Sequence, residues 1–206
     1  VFKKIKLYGQ IALDEFLLKE IRARRGWWAN KQGWQLGGKY INAFGIKGLK
    51  LQVEYNEVRP FTYSHGKVDQ NYGHYGMPLA HPLGANFREF LGFVNYRKNN
   101  WELSWQGMNV IVGKDTSGTK SNVGQNIFAS YNTRSTEYGN KTTQGVKTKI
   151  LQSNLKFTYY LIPDMNMRLE LGYIQRSEKN NQGYELQNPF FYLGFKTSFW
   201  NIYRDF

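Results

Sequence analysis

About eight segments of this chain alternate apolar with polar residues at a period of two, and the connections between them alternate in length. Ile5, Leu7, Gly9, Ile11 and Leu13 share one face of an extended stretch, opposite Lys6, Tyr8, Gln10 and Ala12. Trp34, Leu36, Gly38 and Tyr40 oppose Gln35, Gly37 and Lys39; Leu51, Val53 and Tyr55 oppose Lys50, Gln52 and Glu54. The pattern returns at 88–96, 101–107, 151–161, 167–173 and 191–199. A helix would need its apolar residues three and four apart, so these segments are strands. One short helix is expected after the first strand, with Asp14 as its N-cap, Leu17 and Ile21 on one side and Glu20 paired with Arg24 on the other. Trp27 and Trp28 close it as packing or interface aromatics.

Short connections at 42–48, 97–100 and 162–166 separate long ones at 14–31, 57–87, 108–147 and 176–189. Strands of roughly 10 residues cross a bilayer when tilted. In such a barrel short turns lie on the periplasmic side and long loops outside, and apolar positions face lipid while polar ones face the lumen. The expected fold is all-β: residues 1–206 as one antiparallel transmembrane β-barrel segment, its long loops extracellular or folded in to plug the lumen. The alternative, a soluble β-sandwich or lipocalin-like barrel, would turn the apolar face inward and would have more even connections.

Composition bears on what else the chain could be. No run of about 18 apolar residues occurs, so no transmembrane helix is expected. The mean hydropathy of −0.61 does not weigh against a membrane barrel. Alternation between lipid-facing and lumen-facing residues lowers the average. Aromatic residues make up 17% of the chain, which fits girdle positions at the membrane interfaces. The formal charge of +13 is dispersed among aromatic residues and glycines without a recognition helix, so nucleic acid is not an expected partner. With no cysteine there is neither a disulfide nor a thiolate metal site. The first residue is Val1, which reads as a processed or partial product.

The chemistry-bearing residues concentrate in one stretch, Arg59 to Arg88, which contains all three histidines and three of the five prolines. It has neither helical nor strand period and is too aromatic for a linker, so it reads as an ordered functional loop. Tyr63, His65, Tyr72, His74, Tyr75, His81 and Asn86 offer flat rings and hydrogen-bonding groups suited to a saccharide. The same residues equally suit a loop that packs into the barrel mouth as a plug. Arg59 and Arg88 at its roots are expected to anchor it to the inward carboxylates Glu54 and Glu89. Spacings of nine and seven between the histidines specify no ligand geometry, so no metal and no cofactor are expected. A hydrolase would take Ser64 or Ser104 as nucleophile with a histidine and Asp69 or Glu89, but no nucleophile-elbow motif accompanies them, and the chain is not expected to be an enzyme.

The runs RPFTYSH, NYGHY and PLAHPLGANFRE, preceded by LDEFLLKEIR and GWW, resemble the C-terminal part of the Wzi-like capsule-assembly outer-membrane proteins and their gliding-motility relatives. The terminal Phe206 resembles the C-terminal signal of outer-membrane barrels. The likeness runs from Tyr8 to Phe206. It implies the C-terminal part of a larger barrel in the outer membrane of a Gram-negative bacterium, without catalytic activity, that binds or organises surface polysaccharide or supports gliding assembly; eight strands could also close as a barrel alone. The alternative within the same family is a structural subunit of a secretion or gliding complex. Expected partners are outer-membrane lipid and lipopolysaccharide, acidic surface polysaccharide, and other outer-membrane or surface-machinery proteins. No glycan-contacting residue is transferred from the family.

Overall fold

The architecture, taken from a computed structural model that describes residues 4–116 and 122–198, is an eight-stranded antiparallel meander. Strand β1 (Ile5–Glu15) pairs with β2 (Lys31–Ile41), and β2 with β3 (Leu49–Val58). The sheet then passes to β6 (Phe87–Lys98), β7 (Trp101–Lys114), β8 (Val146–Ile162), β9 (Met167–Asn180) and β10 (Glu185–Lys196). A separate two-residue hairpin, β4 (Gly73–His74) with β5 (Met77–Pro78), lies within the loop between β3 and β6. Among the described residues, β1 and β10 are the two edges of the sheet and no ladder joins them. No described helix is long and apolar enough to cross a membrane. The last residues of the final expected strand, and Phe206, lie outside the described residues.

The three short turns share one device. Asn42, Asn99 and Asn166 all adopt left-handed backbone, with φ of 51°, 52° and 50°. Asparagine tolerates that conformation better than other side-chain-bearing residues, which lets the chain reverse tightly at this end. At the other end the connections are 16–30, 59–86, 115–145 and a four-residue turn at 181–184. Strands β9 and β10 thus continue through much of the 176–189 segment that its polarity marked as loop. Cross-strand pairs such as Lys179 with Glu185 keep that segment in the ladder.

The alternation sorts residues as expected, but burial on the two faces is inverted relative to a soluble protein. Leu7, Ile11, Leu36, Leu171 and Leu193 share the apolar face and are exposed, Leu193 by 78%. Glu89 and Glu170 on the opposite face are 5% and 1% exposed. Glu170 is surrounded by Arg168, Lys156 and Lys196 at 2.8, 3.7 and 2.6 Å. Glycine gives rings room on this polar face. A Cβ on Gly37 would lie 2.3 Å from the Tyr8 ring, and one on Gly172 would lie 2.2 Å from the Tyr192 ring.

The apolar core sits at the loop end of the polar face. Register puts Val58 opposite Phe87, Phe87 opposite Val112, and Val110 opposite Ile150. Ala85 and Ile127 from two different loops complete the cluster. The loops are therefore folded inward as a packed cap, joined by backbone hydrogen bonds such as Phe61 N–H to Gly124 C=O at 2.9 Å and Trp28 N–H to Glu137 C=O at 3.0 Å.

Helix α1 (Leu18–Ala23) is shorter than its sequence pattern predicts, and two details differ. Leu17 is its N-cap position, without a side-chain cap, because β1 continues through Asp14 to Glu15 and commits that carboxylate elsewhere. Glu20 pairs with Arg25 rather than Arg24, through two contacts of 2.6 and 2.9 Å. Arg24 is the C-cap with left-handed backbone, so the chain has already left the helix where an i,i+4 partner would sit.

Candidate functional site

The cap rests on an ion cluster at its root. Lys31, whose side chain is fully buried, places Nζ 3.1 Å from Asp14 Oδ2, 3.1 Å from Glu15 Oε2 and 2.9 Å from the Ser64 carbonyl. The Tyr131 ring closes the remaining side of the ammonium at 4.9 Å. Asp14 Oδ2 also accepts the Tyr63 N–H at 3.0 Å, and Asp14 Oδ1 lies 3.7 Å from His65 Nε2. One carboxylate at the end of β1 thus positions both the β2 root and the start of the 59–86 loop. Burial, with Asp14 as a lesser cause, pushes the Tyr63 phenol above its ordinary pKa and keeps it a neutral hydroxyl.

The second tether is His81. Leu83 N–H donates to His81 Nδ1 at 3.2 Å, so Nε2 carries the proton and donates to Glu89 Oε2 at 3.0 Å. The ring stacks on Phe87 with centroids 4.4 Å apart. Glu89 also accepts from Asn56 Nδ2 at 2.8 Å, and Asn56 reaches Glu54 Oε1 at 3.1 Å. Glu54 in turn accepts from Gln35 at 2.8 Å and from the Tyr8 hydroxyl at 2.6 Å. A continuous polar chain therefore runs from the cap down the inner face of β6, β3, β2 and β1.

Between cap and sheet lies a cleft of about 710 Å³. The sheet contributes Gln10, Gln35 and Asn56; the loop contributes Tyr63, Tyr72 and His65, with His81 at the far side. Tyr63 and Tyr72 stand with ring centroids 5.8 Å apart, and Tyr72 remains half exposed to the opening. Two rings on one wall and three carboxamides on the other match a ligand with apolar CH faces and hydroxyl groups.

Four of the residues singled out in the sequence converge here: Tyr63, His65, Tyr72 and His81. The others go elsewhere. His74 and Tyr75 form the tip of the β4–β5 hairpin, where Tyr75 and Gly76 both have positive φ and the Tyr75 ring is 89% exposed. Asn86 is fully buried and ties the cap together. Arg59 does not reach Glu54: its Nε donates to the Asn30 carbonyl at 2.7 Å, and burial lowers its pKa despite Glu57 nearby. Arg88 does not reach Glu89 either. It lies on the apolar face and pairs with Glu57 at 3.2 Å, because neighbouring residues on a strand point to opposite faces.

Gln10, Gln35, Asn56 and Asp14 were not distinguishable in the sequence. Strand parity places them inward, but every strand has such residues, and only the folded cap selects these. Among the described residues no three His, Asp or Glu side chains converge as a metal-ligand set. Ser64 Oγ donates to the Phe61 carbonyl at 2.7 Å in a buried turn. Comparison with protein-family models, with curated proteins and with solved structures finds no match to this chain.

Proposed function

We propose that this chain is a segment of an outer-membrane β-barrel whose lumen-side cleft, beneath the loop cap, binds surface polysaccharide without transforming it. The observation that carries the membrane reading is the inverted burial: exposed leucines on one face of the sheet, enclosed carboxylates and amides on the other. In water the first would cost about 25 cal/mol for each Å² of apolar surface left uncovered. Lipid removes that cost. The strands have the required reach, since β8 alone has 17 residues and extends roughly 55 Å at about 3.3 Å per residue. The free edges at β1 and β10 are completed by further strands of a larger barrel, as the Wzi-like resemblance implies.

The membrane reading predicts a face-dependent penalty. Leu155→Arg, on the apolar face, lowers the stability of the inserted protein by about 2–4 kcal/mol, while Asn154→Arg on the lumen face has a much smaller effect. Urea titration of the protein folded into phospholipid vesicles measures both. Equal tolerance of the two substitutions would favour a sheet whose apolar face is not in lipid.

The saccharide reading is carried by the cleft and its paired rings. Tyr72→Ala removes the accessible ring without touching the ion cluster, and is expected to weaken binding of oligosaccharides by about five- to tenfold, the loss of roughly 1 kcal/mol of aromatic contact. A glycan array followed by calorimetry on the best ligand provides the measurement. Unchanged affinity for every ligand found would move the function to assembly alone, where the free strand edges already favour a structural role.

A further inference from the structure

A second recess, of about 470 Å³, takes from the sheet Gln32, Glu57 and Arg88, which lie on the face opposite Gln10, Gln35 and Asn56. Five cations line it, Arg24, Arg25, Arg59, Arg88 and Lys141, against two carboxylates, Glu20 and Glu57. Its position follows from register. Glu57 and Arg88 lie opposite one another in the row that also contains Trp34, on the apolar face at the loop end. In the next row toward the turns stand Leu36, Tyr55 and Phe90. Trp34 and Tyr55 pack with ring centroids 5.0 Å apart, and the Tyr55 hydroxyl donates to Glu57 at 3.1 Å. A cationic recess therefore sits directly above an aromatic patch, where the apolar face ends.

Among the described residues, two of the five cations have neither a carboxylate nor a carbonyl partner. Arg25 is held by Glu20 and Arg88 by Glu57. Arg59 spends its Nε on the Asn30 carbonyl and directs Nη2 at the Trp27 carbonyl. Among the described residues, Arg24 and Lys141 have no acidic partner, and they come from different loops joined by hydrogen bonds from Gly139 N–H and Asn140 N–H to the carbonyls of Arg25 and Gly26. On the α1 side Ile21 lines the recess, and Leu17 and Leu18, one helical turn before it, are exposed. This combination matches a molecule bearing phosphate at the level of the recess and acyl chains below it.

We propose that this recess holds the phosphate groups of a phosphorylated outer-leaflet glycolipid, with Arg24 and Lys141 as its principal cations and the Trp34, Tyr55 and Phe90 rings against the upper part of its acyl chains. The site rests on the membrane reading but not on the saccharide reading, because no residue lines both the recess and the saccharide cleft. Its role is to seat the cap against the lipid surface.

The test uses the protein folded into phosphatidylcholine vesicles doped either with bisphosphorylated lipid A or with the same lipid lacking its phosphates. Lipid A retained per chain after detergent extraction is counted by native mass spectrometry. The phosphorylated form is expected to be retained about tenfold better, and Arg24→Gln with Lys141→Gln together to abolish that preference, since both remove charge-assisted contacts to phosphate. Lys47→Gln with Lys98→Gln, at the turn end, is expected to leave it unchanged. Equal retention by the Arg24, Lys141 variant and the parent would overturn the site. Displacement of the lipid by inorganic phosphate at matched ionic strength would mark a free-phosphate site and overturn the lipid assignment. A chain that carbonate extraction strips from the vesicles would sink the membrane reading together with this one, whereas a chain that stays inserted without discriminating between the lipids would sink this one alone.

Discussion

Asn86→Ala is expected to lower stability by about 3–4 kcal/mol, although the side chain removed is small. Asn86 is fully buried and uses its whole amide. Its Nδ2 donates to the carbonyls of Gly113 and Gln144 at 2.9 and 3.0 Å, and its Oδ1 accepts from the N–H groups of Thr143 and Gln144 at 2.7 and 3.2 Å. Alanine leaves all four backbone groups without that partner, at a point where β7 and the 115–145 loop approach closely: a Cβ on Gly113 would lie 1.8 Å from the Gln144 oxygen. The φ of 58° adds a backbone cost for alanine that asparagine bears more easily. Asn86→Gly relieves the backbone but not the hydrogen bonds, and is expected to recover about 1 kcal/mol of the loss. Unfolding by urea and proteolysis within 122–145 give the two readouts. A loss below about 1 kcal/mol for alanine would mean that the cap is not held as described.

The second large effect is expected at Lys31. Lys31→Met should cost about 3–5 kcal/mol, because it leaves Asp14 and Glu15 without the cation between them and Ser64 without a donor. The loss is not one of packing, since methionine retains most of the aliphatic volume. It follows that Lys31→Met combined with Asp14→Asn should be more stable than Lys31→Met alone, as the uncompensated charge is removed. A double variant no better than the single one would show that the ammonium acts through the Ser64 carbonyl and the Tyr131 ring instead of the carboxylates. Saccharide affinity should fall with both Asn86 and Lys31 variants, but through loss of the cap. Tyr72→Ala should lower affinity with stability unchanged, and that contrast separates a contacting residue from a positioning one.

Position by position, the errors of sequence reading have a common origin. Arg88 stands two residues before Phe90 and so belongs to its face; the alternation already placed it outward, and only its proximity to Glu89 in the chain argued otherwise. Asp14 has the right residue type for an N-cap, but a β-bulge between Leu13 and Glu15 lets the strand run on until that carboxylate meets Lys31. His65 and His81 line the same cleft although their spacing does not show it, and each meets its own carboxylate, Asp14 at 3.7 Å and Glu89 at 3.0 Å.

The eight strands of the main sheet, the assignment of their apolar and polar faces and the positions of the three asparagine turns were determined by the sequence alone, because each depends on neighbours within a few residues: side-chain parity along an extended chain, and asparagine where φ must be positive; the 181–184 turn and the small β4–β5 hairpin were not. Which inward residues form a site, which loops pack inward and where the cations gather were decided only by the tertiary structure. Those outcomes require contacts between segments distant in the chain, such as Asp14 with Tyr63, Arg59 with Asn30 and Asn86 with Gln144. No local pattern encodes them, since the same glutamine or arginine is a solvated side chain on one strand and the wall of a cleft on the next, according to which loop folds over it.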